Sequence, residues 1–156
     1  MEYKEEQVQE LEQQFLLVCD QLRQQLSCDF TGVALQKIQG VDITWPFVSG
    51  NRNQKYKYIT VRYGKGIAGR VIASGSPMEI VQFPDNIIGK STEYPIMLAE
   101  KMITAYAMPL LWQGSPKGAL LIGYRSKHRL EENDYVNLKE LGKKVEKLLP
   151  LYFAEN

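Results

Sequence analysis

The chain has 156 residues, with 19 Lys and Arg against 18 Asp and Glu and a formal net charge of +1. Hydrophobic residues make up 44% and charged residues 24%, which excludes a disordered or fibrous chain. The near-neutral charge excludes a global nucleic-acid footprint, and no apolar run approaches membrane-spanning length, so neither nucleic acid nor membrane is expected as a partner.

One domain over 1–156 is expected, since this length buries a core without disulfides or metals. Residues 1–27 read as an N-terminal helix from about Tyr3 to Ser27. Val8, Leu11, Phe15, Val18 and Leu22 recur at three- and four-residue spacing among Gln and Glu, a narrow apolar seam. The seam suits a coiled coil or a helix laid on another helix. Cys19 and Cys28 have no metal-ligand spacing and read as buried free thiols of a reducing compartment, with a redox role left open. No apolar signal region follows Met1, so a cytoplasmic location is expected.

Residues 28–130 alternate short strands and turns. Phe30–Ile38 predicts a strand, Gln39-Gly40 a turn, and Asp42–Gly50 the returning strand, with Ile43, Trp45 and Phe47 on one face. Pro46 makes that strand an edge or interrupts it. Asn51–Lys55 is a polar connector, and Tyr58–Tyr63 is extended. Gly64-Lys65-Gly66-Ile67-Ala68-Gly69-Arg70-Val71-Ile72-Ala73-Ser74-Gly75 predicts a short helix entered through a glycine turn. The first amides of such a helix lack internal partners and favour a negative charge. Alone, the segment reads more simply as a plain turn, because it has neither a phosphate-loop Lys-Ser/Thr ending nor a full G-x-G-x-x-G.

A brief strand is expected at Pro77–Val81, a loop at Phe83–Ser91, and one or two helical turns at Ile96–Lys101. Met102–Trp112 is a strand whose Pro109 implies an edge or a bulge. Gln113–Gly118 is the hairpin turn and Ala119–Arg125 the returning strand. Residues 131–150 form a second long helix, from Glu131 to about Leu149, with Leu138, Leu141, Val145 and Leu148 at similar spacing. Acids open it, and Lys143, Lys144 and Lys147 suit its C-terminal dipole. The layout predicts an α+β domain with an antiparallel sheet and helices gathered on one side.

The order of these motifs resembles the GAF domain family. The resemblance rests on Gly64–Val71 followed by Gly75-Ser76-Pro77, on Ala107-Met108-Pro109-Leu110, on Lys117–Ile122, and on Asp134–Leu141. It implies a GAF fold: a central antiparallel sheet, N- and C-terminal helices packed on one side, and a ligand pocket roofed by short helices on the other. It also implies dimers through the terminal helices, against which stands the plainer reading that both seams cover the sheet of a monomer.

The segments around Trp45 and Tyr94-Pro95-Ile96 further resemble stand-alone GAF nitrate receptors, which work with an oxygen-sensing histidine kinase. Carried over, nitrate contacts fall on Trp45, Ile67, Ala68, Tyr94, Pro95 and Ile96. The resemblance implies a sensor and not an enzyme, with no metal or cofactor and with nitrate relieving restraint of the kinase.

The residues themselves offer an indole N–H, backbone amides and a Tyr hydroxyl, a nearly all-donor set suited to a small, weakly hydrated anion. Trp45 also reads as simple core packing, and Tyr94 and Ile96 as loop filling. Lys65 and Arg70 flank the helix and offer themselves as anion ligands, against the plainer reading of solvated surface for each. His128, the lone histidine, supports neither a metal site nor a nucleophile–base pair. Two rivals stay open: a cyclic-nucleotide sensor, for which no clear base-reading set is present, and a free methionine sulfoxide reductase, whose chemistry needs pocket cysteines.

Overall fold

The two amphipathic ends of the chain are long helices, α1 (Glu2–Leu26) and α4 (Glu132–Glu155), and the segment between them builds a sheet and its cover. The computed structural model describes residues 2–155, so Met1 and Asn156, the ends of the expected 1–156 domain, lie outside the described residues. The strands are β1 (Phe30–Gln36), β2 (Asp42–Ser49), β3 (Thr60–Arg62), β4 (Met78–Ile80), β5 (Thr104–Trp112) and β6 (Ser115–Tyr124). They form one sheet in the order β3-β2-β1-β6-β5-β4, with every pair antiparallel. Two short helices, α2 (Gly66–Ser74) and α3 (Pro95–Ala99), and single 3-10 turns at Lys55–Tyr58 and Ser91–Glu93 complete the fold.

The sheet separates two apolar cores. On one face, Phe15, Cys19 and Leu22 of α1 and Leu138, Leu141, Val145, Leu149 and Phe153 of α4 pack on Val33, Leu35, Leu120 and Ile122. On the other, Ile67, Ala68, Val71 and Ile72 of α2 and Ile96 and Met97 of α3 pack on Phe30, Ala34, Ile43, Trp45, Ala119 and Leu121. The alternating residues of β1 and β6 thus serve both faces, as the two-residue period of a strand requires. The terminal helices cover one side and the short helices the other, the arrangement expected from the GAF resemblance.

Several local expectations are corrected. Ile43 and Trp45 share a face, but Phe47 lies on the opposite one, stacked on Phe15 of α1 with ring centroids 4.1 Å apart. The cause is a bulge. Val33 pairs with Phe47 and Leu35 with Thr44, so Trp45 and Pro46 together oppose Ala34. One extra residue inverts the alternation beyond it. Pro46 thus interrupts the strand, as one of the two expectations held.

The β5–β6 turn is tighter than expected, only Gln113 and Gly114, both at positive φ (53° and 79°), so Ser115–Gly118 already belongs to the strand. The strand expected at Tyr58–Tyr63 shrinks to β3, after a 3-10 turn. The seam of α1 begins at Leu11, and Val8 is exposed. In α4 the buried ridge steps by four through Leu141, Val145, Leu149 and Phe153, with Leu148 only partly buried, and the helix continues through Pro150.

Candidate functional site

The site cluster is built on the bulged part of β2. The bulge turns Trp45 onto the face under α2 and α3, where only 3% of it is exposed. Gly32 on the neighbouring strand makes room for it. A Cβ at Gly32 would lie 3.0 Å from the indole ring of Trp45 and equally close to Phe30, so a larger residue there would displace the ring. The indole Nε1 of Trp45 is buried and has no hydrogen-bond partner among the described residues.

α2 supplies the next donors. Its entry residue Gly66 has φ +64°, a left-handed conformation that favours glycine. A Cβ at Gly66 would lie 2.8 Å from the carbonyl oxygen of Glu93, so the helix start sits directly against the segment leading to Tyr94. Ile67 and Ala68 occupy the first turn, where an amide has no i−4 carbonyl inside the helix. No side chain caps this end. The helix stops at Gly75, which adopts φ +69° and donates its N–H to the Val71 carbonyl at 2.9 Å, a left-handed C-cap.

The third part is the start of α3. Tyr94 precedes the helix and its carbonyl accepts from the amides of Met97 and Leu98 at 3.1 and 3.2 Å. Pro95 opens the helix, where its missing N–H costs nothing. The Ile96 amide again lies in a first turn without an internal partner. One part of the donor set read from sequence is corrected here: the Tyr94 hydroxyl donates to the Ile88 carbonyl at 2.7 Å, so its proton is already committed to the preceding loop.

Trp45, Ile67, Ala68, Tyr94 and Ile96 therefore come together in one buried cluster, and Pro95 sits half-buried at its rim. The six contribute no carboxylate, amine or imidazole. A groove of about 440 Å³ beside α2 is lined by Gly64, Arg70, Ala73, Ser74, Pro77, Met78 and Ile88. Lys65 pairs with Glu93 at 3.3 Å on the surface. The Glu93 carboxyl is held below its ordinary range, first by the Lys90 backbone amide and then by the Lys65 side chain. Among the described residues there is no cluster of His, Cys, Asp or Glu able to hold a metal ion.

Both cysteines lie in the core under the terminal helices, on the other side of the sheet from this cluster. Burial pushes each thiol up from 9.0 to about 12, so neither is a ready thiolate.

Sequence reading did not find Glu100 and Arg125. Glu100 is fully buried at the end of α3, and Arg125 reaches it from the end of β6 with an N–O distance of 2.6 Å. No local signal marks a pair 25 residues apart in sequence.

An antiparallel sheet with terminal helices on one face and short helices on the other, the starts of α2 and α3 capped by no side chain, defines an α+β domain with a buried cluster under its short helices. The sequence matches the GAF domain family over residues 10–147, and the chain belongs to that family. It is similar to NreA from Staphylococcus aureus, in a structure described as mutated in its nitrate-binding site. The identity is 30%, the TM-score 0.70, and the match covers 78% of this chain and 92% of that one. The GAF domain of a phosphoenolpyruvate-protein phosphotransferase from Coxiella burnetii shares the fold at 21% identity and TM-score 0.78, covering 97% of this chain and 92% of that one. The free methionine-R-sulfoxide reductase of Neisseria meningitidis shares it at 18% identity and TM-score 0.67, covering 88% and 77%. No curated protein sequence matches the chain significantly. Among the described residues no helix is long and apolar enough to cross a membrane.

Proposed function

We propose that the chain is a nitrate-binding sensor that restrains an oxygen-sensing histidine kinase of the NreB type, and that nitrate relieves the restraint. The observation that carries this reading is the buried, partnerless Nε1 of Trp45, in one cluster with the uncapped starts of α2 and α3. A buried donor without an acceptor costs about 1–3 kcal/mol. A ligand rich in acceptors and without donors relieves that cost.

Nitrate is such a ligand. It is flat, singly charged and weakly hydrated, and its three oxygens can accept from the Trp45 indole and the amides of Ile67, Ala68 and Ile96. Tyr94 and Pro95 then serve as walls, Tyr94 through its ring and its bond to Ile88. The likeness to NreA supports nitrate over other small anions. The burial of Trp45, Ile67, Ala68, Tyr94 and Ile96 supports a small ligand over a cyclic nucleotide, which needs room for a base, ribose and phosphate. The buried, protonated thiols on the far face argue against sulfoxide reduction at this cluster. On this reading the sensor acts without catalysis and without a cofactor, in the cytoplasm. It dimerises through α1 and α4, on which Leu17 and Leu151 remain exposed.

Isothermal titration tests the reading. Saturable binding of nitrate, with no heat from cyclic nucleotides, is expected. Kinase autophosphorylation should be lower with the protein than without it and should recover on adding nitrate. A titration with no nitrate heat, or autophosphorylation indifferent to nitrate, would overturn the proposal.

A further inference from the structure

The anion cluster is supported at only one end of α3 by the contacts described above. The other end is held by a polar clasp that this assignment does not use. Glu100, the C-cap residue that follows α3, is 0% exposed. Its Oε1 accepts from Arg125 Nη2 at 2.6 Å and from the backbone amide of Arg52 at 2.8 Å. Arg125 Nε donates to the Glu100 carbonyl at 2.8 Å, and Arg125 Nη2 also donates to the Gly50 carbonyl at 2.9 Å. Arg52 Nη1 and Asn53 Nδ2 donate to the Ala99 carbonyl at 3.1 and 3.2 Å. The other carboxylate oxygen, Oε2, is buried with no partner among the described residues.

A buried ion pair seldom repays its desolvation in stability, and removing one partner strands the other. What the clasp does achieve is geometric. It ties the Glu100 carboxylate and the Ala99 carbonyl directly to Arg52 and Asn53, in the segment that leaves β2, and ties the Glu100 carbonyl to Gly50 through Arg125. β2 carries Trp45, and the opposite end of α3 carries the Ile96 amide. The Glu100 amide itself donates to the Ile96 carbonyl at 3.1 Å, one turn away. The clasp therefore sets the position of one donor-bearing element against the other.

We propose that Glu100 is a positioning residue of the anion site: held by Arg125 and the Arg52 amide, it fixes α3 so that the Ile96 amide converges with Trp45 Nε1. This rests on the nitrate reading for its consequence, but it concerns the ligand-free geometry of α3. A five-residue helix has too few internal bonds to hold its own orientation, so the clasp supplies what the helix lacks.

The working variant is Glu100→Gln, because Glu100→Ala empties a fully buried position and can unfold the chain. Glutamine keeps the size and an acceptor for the Arg52 amide, and removes the charge that holds Arg125. The control is Val145→Ala, which lowers stability from the opposite core. Two readouts are taken: the amide resonances of Ile96 and Met97 in the ligand-free protein, and the nitrate Kd. Glu100→Gln should shift both resonances and raise Kd about tenfold, the loss of one well-aligned bond to an anion. Val145→Ala should lower the melting temperature while leaving both unchanged. If Glu100→Gln leaves the two resonances in place, or leaves Kd within twofold of wild type, the proposal falls. If wild type binds no nitrate, the nitrate reading falls with it, and the Ile96 and Met97 resonances alone decide whether Glu100 positions α3.

Discussion

Replacing Trp45 by Phe separates binding from folding at a single atom. Trp45 is 3% exposed and its Nε1 has no acceptor among the described residues. In the ligand-free protein, deleting that donor removes a desolvation cost of about 1–3 kcal/mol. The smaller ring leaves a void whose cost, at roughly 24 cal/mol per Å³ unfilled, is on the order of 1 kcal/mol. The two terms oppose each other, so the ligand-free variant should unfold within about 1–2 kcal/mol of wild type. Binding has no such compensation. A hydrogen bond to a charged ligand contributes about 1.5–3 kcal/mol, so nitrate affinity should fall by roughly 10- to 100-fold.

Urea unfolding followed by circular dichroism, with and without nitrate, measures both effects. Nitrate at 100 times Kd stabilises the wild type by about 2.7 kcal/mol. The same nitrate concentration should stabilise Trp45→Phe by only about 0.4–1.4 kcal/mol. A variant that keeps the full nitrate-induced shift would refute the assignment of Nε1 as a ligand donor. Trp45→Ala is the poorer test, because truncating a buried aromatic costs about 3–5 kcal/mol by itself.

Other outcomes follow from the same geometry. Ala68 is 1% exposed, so Ala68→Leu should overpack the roof at a cost of about 1–3 kcal/mol and abolish nitrate heat in calorimetry. Gly66→Ala would place a Cβ 2.8 Å from the Glu93 carbonyl at φ +64°; it should push α2 away from the Tyr94 segment and lower both Tm and nitrate affinity. The thiols of Cys19 and Cys28 are raised from 9.0 to about 12 by burial. The folded state therefore holds these protons longer than the unfolded state, and their contribution is intact below pH 9 and lost as pH rises from about 9 towards 12. Denaturation midpoints measured across that range should decline, and less so in a Cys19→Ala/Cys28→Ala protein.

Much of the architecture was legible in local chemistry. The seam from Leu11 to Leu22, the Gly-bounded segment 64–75 and the apolar hairpin strands predict α1, α2 and β5–β6 because each pattern has the period of its own element. One or two helical turns were legible at Ile96–Lys101, where the structure has α3 at Pro95–Ala99 with Pro95 in its first turn. The β1–β2 register was not. Pro46 signalled an irregularity, yet only pairing with β1 decides that Trp45 and Pro46 share one partner, and hence that Phe47 faces α1.

The candidate site divides in the same way. By itself the sequence determined which groups could serve: an indole N–H, first-turn amides and a stiffened loop, with no charge among them. Those are properties of residue type and of position within a helix, and neither depends on distant chain. Only the tertiary structure decided which donors are free. It committed the Tyr94 hydroxyl to Ile88, left Trp45 Nε1 without an acceptor, and paired Glu100 with Arg125 behind α3. The reason is physical: a donor's availability depends on what the rest of the chain brings within about 3 Å of it, and that is settled by packing between segments far apart in sequence.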